Sequence, residues 1–172
     1  MTLCLLRYRK SAVSQTDNHI DLYPHELRAE IDALNEMIYP RLNNGVYRAG
    51  FATTQISYQQ AFNELFTQLD ELALLLQDGR TFLPDKRLTE ADMRLFNRLI
   101  RFDVACHGLF KCNLRRLCDY LLLDRYLKNM LAVSGIRDTV RIDHIKQSYY
   151  SIKALNPNGI IPAGPDMPAY GW

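Results

Sequence analysis

Residues 58–76 read YQQAFNELFTQLDELALLL, and within them Tyr58, Phe62, Leu65, Leu69, Leu72 and Leu76 recur at alternating steps of four and three. That spacing returns every apolar side chain to one face of a 3.6-residue turn, so the stretch reads as a long amphipathic helix stopped near Asp78-Gly79. Upstream, Leu27, Ile31, Leu34 and Ile38 repeat the pattern in a helix expected to start near Pro24, where a proline's missing N–H costs nothing. Pro40 falls in the continuation of that stripe and is expected to kink or end it, because its ring removes a donor and crowds the preceding turn. Downstream, Thr89-Glu90-Ala91-Asp92 has the form of an N-cap with an acid at N3, each satisfying orphan backbone N–H groups. It opens a helix expected to carry Met93, Phe96, Leu99 and Ile100 inward and to run to about Cys106.

Further helices are read over residues 121–131 and from about Ile136 to Ser151, with Ser134-Gly135 as the break between them. Glycines and prolines are few and fall between periodic segments, and no strand-like alternation persists. The fold class is therefore all-α, a helical bundle. After Leu155, a run rich in Pro and Gly from Asn156 to Pro165 is expected to be extended and to wrap over the bundle. No internal repeat or low-complexity segment occurs.

With 172 residues, 48% apolar and 23% charged, the composition is that of an ordinary globular protein, and one domain is expected. A formal charge of +2 is too small to imply a nucleic-acid partner. Lys111, Arg115 and Arg116 are not extended by a second basic run or an aromatic platform, so no nucleic-acid partner is expected. The apolar start at residues 1–6 is too short to span a bilayer, and Arg7, Arg9 and Lys10 follow it instead of preceding it, which argues against an export signal. A cytoplasmic location without membrane attachment is expected, with Cys4, Cys106, Cys112 and Cys118 as free thiols.

Cys106, Cys112 and Cys118 recur at intervals of six, whereas tetrahedral zinc sites draw on pairs two to four residues apart, so no metal is expected. Lys111, Arg115 and Arg116 flank Cys112, and nearby cations stabilise a thiolate; a buried, inert thiol is the competing reading. Ten tyrosines are more informative. A phenol donates a hydrogen bond while its ring packs on an aromatic ligand, although a helical tyrosine is more often half-buried packing.

Four segments bear a common resemblance. They are Asn43-Asn44-Gly45-Val46-Tyr47-Arg48-Ala49-Gly50-Phe51-Ala52, Leu88-Thr89-Glu90-Ala91-Asp92, Phe110-Lys111-Cys112-Asn113-Leu114-Arg115-Arg116, and Asp143-His144-Ile145-Lys146 running into Tyr149-Tyr150. Together they resemble the C-terminal helical domain of the glutathionyl-hydroquinone reductases, the xi class of glutathione transferases. The match runs from about Leu22 to Pro165, with residues 5–13 resembling the last helix of a thioredoxin-like domain. The resemblance implies three parts: residues 1–21 as a remnant and linker, 22–155 as the helical domain and 156–172 as an extended tail.

In that family a cysteine thiolate of the thioredoxin-like domain attacks the sulfur of a glutathionyl-hydroquinone, and a second glutathione resolves the mixed disulfide. Glutathione is thus the implied cosubstrate, without a metal. The helical domain holds the aromatic ring, with tyrosine hydroxyls directed at its oxygens. By motif, these correspond to Tyr47 and Tyr149. A third pocket tyrosine of the family is replaced by Cys106, two prolines by Leu121 and Ser134, and a His by Leu109. Thr89 and Asp92 carry over as the structural N-cap of the core helix. The family also implies a homodimer.

The family's thioredoxin-like half, with its Cys-Pro motif and glutathione-holding groups, is not found among these residues. On its own the polypeptide is therefore expected to be catalytically silent or nearly so. Two alternatives remain: an enzyme in which Cys106 or Cys112 has taken the thiol role, and a noncatalytic module that dimerises or captures aromatic ligands through Tyr47 and Tyr149.

Overall fold

The structure, a computed structural model, describes residues 20–84 and 87–171, leaving the side chain of Ala169 aside. The expected remnant helix at residues 5–13, together with Cys4, lies outside the described residues. Among the described residues there is no strand, and six α-helices alternate with short 3-10 and π turns.

The first helix, α1, spans Arg28–Ile38 and is entered through a 3-10 turn at His25–Leu27. Pro24 stands one residue ahead of that turn, extended at φ −65° and ψ 146°, and its carbonyl accepts the Leu27 N–H at 3.0 Å. Ile31 and Ile38 are fully buried, while Leu27 and Leu34 pack half-buried at the margin of the stripe. The α-pattern stops at Ile38, and a π turn follows over Tyr39–Asn43, closed by the Asn44 N–H on the Tyr39 carbonyl at 2.8 Å. Pro40 lacks the N–H that an α-turn would need, so the chain widens there and still resumes as α2, Gly45–Gly50.

Helix α3, Gln55–Leu75, is the long helix of the bundle. The Thr54 hydroxyl caps it by accepting the Ser57 N–H at 3.1 Å, a cap that the apolar spacing does not reveal. Its stripe of Leu65, Leu69 and Leu72 is wholly buried, and Leu76 continues it into a 3-10 turn. Gly79, at φ +89°, ends the run in the left-handed region that a side chain would strain.

Helix α4, Glu90–Leu99, begins at the Thr89/Asp92 capping box. Both residues are completely buried. Asp92 also accepts the Leu83 N–H at 2.7 Å and the Tyr126 hydroxyl at 2.8 Å, so the cap ties together the loop before α4 and α5, Leu121–Ala132. Leu95, Phe96, Leu99 and Ile100 face the core, whereas Met93 is only half-buried. The helix does not continue to Cys106 as regular α. It ends at Leu99, and a π turn covers Phe102–Cys106.

One helix expected from Ile136 to Ser151 is in fact two pieces. A 3-10 turn at Arg137–Thr139 and extended backbone at Val140 and Arg141 precede α6, Ile142–Tyr150. Val140 is buried in that extended form, so tertiary burial outweighs local helical preference there. The tail wraps back over the bundle. Lys146 Nζ donates to the Ala163 carbonyl at 2.7 Å, Met167 and Tyr170 are buried, and the Tyr170 hydroxyl donates to Asp124 at 2.6 Å. A 3-10 turn at Pro168–Tyr170 is its regular element.

Candidate functional site

Tyr47 projects from α2 and Tyr149 from α6, 102 residues apart in the chain, and their hydroxyl oxygens lie 3.2 Å apart. Both rings are half-buried. Phe110 is wholly buried and meets each of them edge-on, with centroids at 5.3 Å from Tyr47 and 5.7 Å from Tyr149. Phe51, 45% exposed, reaches Phe110 from the outer side at 6.1 Å. Edge-to-face pairs of this kind are worth about 0.5–1.5 kcal/mol beyond the area they bury, so Phe110 fixes the angle of both phenols.

Gly50 makes that arrangement possible. A Cβ there would sit 2.2 Å from Phe110 Cδ1, inside any tolerable contact, so only glycine lets α2 approach the ring. Burial, with the Tyr47 hydrogen bond adding to it and Arg98 opposing, pushes the Tyr149 phenol up to about 12. It is therefore a protonated hydroxyl at neutral pH. Two phenols that bond to each other share one proton between their oxygens and leave the other free for a third partner.

Behind the tyrosines lies Arg98. Its guanidinium stacks over the Tyr47 ring at 5.0 Å from the centroid, donates to the Asn43 carbonyl at 2.7 Å, and touches Cys106 Sγ at 3.7 Å. Burial works against its charge, but a guanidinium stays protonated throughout the physiological range, so Arg98 remains a buried cation. Apolar spacing does not bring this residue forward, yet it carries a signal. Ala91, Leu95, Arg98 and Phe102 follow steps of four, three and four along the buried face, and one of them is charged.

Cys106, expected at a third tyrosine's position, is completely buried against Arg98 and has no surface with which to touch a ligand. A thiol is shorter than a phenol, and here the guanidinium occupies the space next to it. Burial raises its pKa above the ordinary thiol value despite Arg98. Cys112 is buried too, its pKa pushed up to about 12 by desolvation and then by Cys106, and its Sγ contacts the Phe110 carbonyl at 3.6 Å. The flanking arginines are engaged elsewhere: Arg115 pairs with Asp70 and Arg116 with Asp119. Both thiols are neutral at pH 7, which removes the basis for either as a substitute nucleophile.

Thr89 and Asp92 lie in the core, as structural residues should. Among the described residues no group of His, Cys, Asp and Glu could hold a metal ion. A separate concavity of about 200 Å³ opens between α4 and α6, lined by Phe96, Ile100, Val140 and Ile145 with Arg101 and His144 at its edge. It includes neither tyrosine, so shape alone does not lead to the aromatic cluster.

Comparison with known proteins gives a consistent pattern. The family described as glutathione S-transferase, C-terminal domain, matches residues 55–129. The chain is 50% identical over 152 residues to the glutathionyl-hydroquinone reductase PcpF of Sphingobium chlorophenolicum, covering 88% of this chain and 48% of that protein. To the glutathionyl-hydroquinone reductase YqjG of Escherichia coli it is 45% identical over 146 residues, covering 84% of this chain and 44% of the relative. The glutathione-bound structure of YqjG superposes with a TM-score of 0.83 at 43% identity, over 87% of this chain and 49% of that one. A xi-class glutathione transferase from Natrialba magadii superposes with a TM-score of 0.84 at 40% identity, over 88% and 46% respectively. The chain thus spans about half the length of the curated relatives it matches.

Proposed function

Because the chain belongs to the xi-class glutathione transferases, whose C-terminal helical domain it matches, we propose that it forms the wall against which such an enzyme holds the ring of a glutathionyl-hydroquinone. The observation that carries this reading is the Tyr47–Tyr149 hydroxyl pair at 3.2 Å, half-exposed and braced by Phe110. Two aromatic faces receive the ring. The proton left free by the pair is directed at its oxygen. Releasing an aromatic carbon from sulfur builds charge on that oxygen, and a fixed donor in a partly desolvated site stabilises the charge better than mobile water.

Glutathione is the cosubstrate in this proposal, and its binding groups and the attacking thiol come from residues outside this sequence. None of the four cysteines here is followed by proline. The 172-residue polypeptide by itself is accordingly proposed to bind the aromatic portion without turnover. Pairing through this domain into a homodimer and a cytoplasmic location, without a metal, complete the proposal. No helix among the described residues is long and apolar enough to cross a membrane.

The test uses the pure chain with glutathione and a glutathionyl-hydroquinone. Saturable binding that weakens in Tyr47→Phe, with no glutathione-dependent release of hydroquinone, is expected. Sustained turnover by the chain alone would overturn the division of labour, and unchanged binding in Tyr47→Phe would remove that hydroxyl from the site.

A further inference from the structure

The cluster contains a cation that the proposed ring-holding role does not require. Arg98 is 8% exposed and forms no ion pair with a carboxylate among the described residues. Its partners are a backbone carbonyl, a thiol sulfur and the face of a phenol ring, all of them formally neutral. Its Nε has no hydrogen-bond partner among the described residues.

A buried guanidinium is costly unless an anion and a full set of acceptors compensate it. Here the thiol does not supply the anion, because burial keeps Cys106 protonated. Tyr149 does not supply it either, since it ionises only at about 12. The positive charge against the Tyr47 ring is therefore left without an anion among the described residues. In such a partly desolvated place a charge acts far more strongly than it does in water.

We propose that Arg98 is the specificity-determining residue of the tyrosine cluster, and that it selects aromatic ligands bearing an anionic oxygen over their neutral counterparts. The proposal rests on the reading that Tyr47 and Tyr149 receive an aromatic ring, and it adds the charge of the ligand. An oxyanion placed on the two hydroxyls accepts their free proton and supplies the counter-charge that Arg98 lacks.

The experiment measures calorimetric affinities of the full chain for 4-hydroxybenzoate and for its neutral match, 4-hydroxybenzamide. These probes share ring, hydroxyl and size, and differ in charge. The acid is expected to bind about tenfold or more tightly, the range for hydrogen bonds to charged groups. Arg98→Met is expected to abolish that ratio while amide binding persists, and Arg98→Lys to retain part of it. Equal affinity of the two probes for the wild-type protein overturns the proposal without recourse to any variant. A preference that survives in folded Arg98→Met overturns it as well. Tyr47→Phe reports separately on the ring-holding reading, because it should weaken both probes. Failure of both probes to bind wild type would overturn both readings together.

Discussion

Asp92 accepts four hydrogen bonds, from Leu83 N, Thr89 N, the Thr89 hydroxyl and the Tyr126 hydroxyl, while wholly buried. Removing it orphans donors on three segments at once, and each buried orphan costs about 1–3 kcal/mol. Asp92→Ala is therefore expected to lose roughly 3 kcal/mol or more, against about 1 kcal/mol for the cap lost in Thr89→Ala. Urea titration of both variants checks the order, and equal losses would refute the hub role of Asp92. Tyr47 calls for the opposite balance. Tyr47→Phe keeps the ring contact with Phe110 and gives up one hydroxyl bond, about 0.5–1.5 kcal/mol of stability. In a complete enzyme the same change should lower the rate by about 10²–10³ if the hydroxyl faces the developing charge. Steady-state kinetics of the variant decide it, and a rate within a factor of two of wild type would count against the assignment. Thr89 and Asp92 were legible in the sequence because a cap is a local pattern. The role of Arg98 was not, because its meaning depends on which side chains fail to neutralise it.

At the level of elements, α2 is six residues long and too short to be stable by itself, so it is held by what it packs on. Its two glycines do different things. A Cβ at Gly50 would lie 2.2 Å from Phe110, whereas one at Gly45 finds nothing nearer than 3.8 Å. Gly50→Ala is expected to cost about 1–3 kcal/mol through overpacking and to displace the ring that braces both tyrosines. Gly45→Ala should be neutral or stabilising by up to about 1 kcal/mol, because it relieves the unfolded chain's extra freedom. Thermal melts of the pair, with near-ultraviolet circular dichroism to follow the aromatic packing, provide the check. Opposite behaviour would mean that Phe110 can move aside freely. The long stripe of α3 is plain from its spacing. The π turns at Tyr39–Asn43 and Phe102–Cys106 are not, since they follow from one missing donor and from where buried side chains must point.

For the whole molecule, several buried groups lose protons later in the folded chain than in the unfolded one. Cys112 and Tyr149 are both held up to about 12, first by burial. An unfolded thiol and phenol ionise at roughly 8.5 and 10. The unfolded state therefore sheds protons first as pH rises. By linkage, stability is full below about pH 8.5 and falls progressively towards pH 12. Urea midpoints measured from pH 8 to 11 should decline, and Cys112→Ala should flatten the lower part of that decline. A midpoint that rises over this range would contradict the sign. The sequence by itself determined an all-α chain, the apolar stripe of its long helix, the Thr89/Asp92 cap and a resemblance that singled out Tyr47 and Tyr149, because periodicity, caps and motifs are written in neighbouring residues. Tertiary structure alone decided that the two phenols meet at 3.2 Å, that Phe110 braces them, that Cys106 is sealed away, and that a cation without a carboxylate partner among the described residues stands behind them. Those features come from groups brought together across 102 residues of chain, where no local spacing records the contact and only the packing of helices creates it.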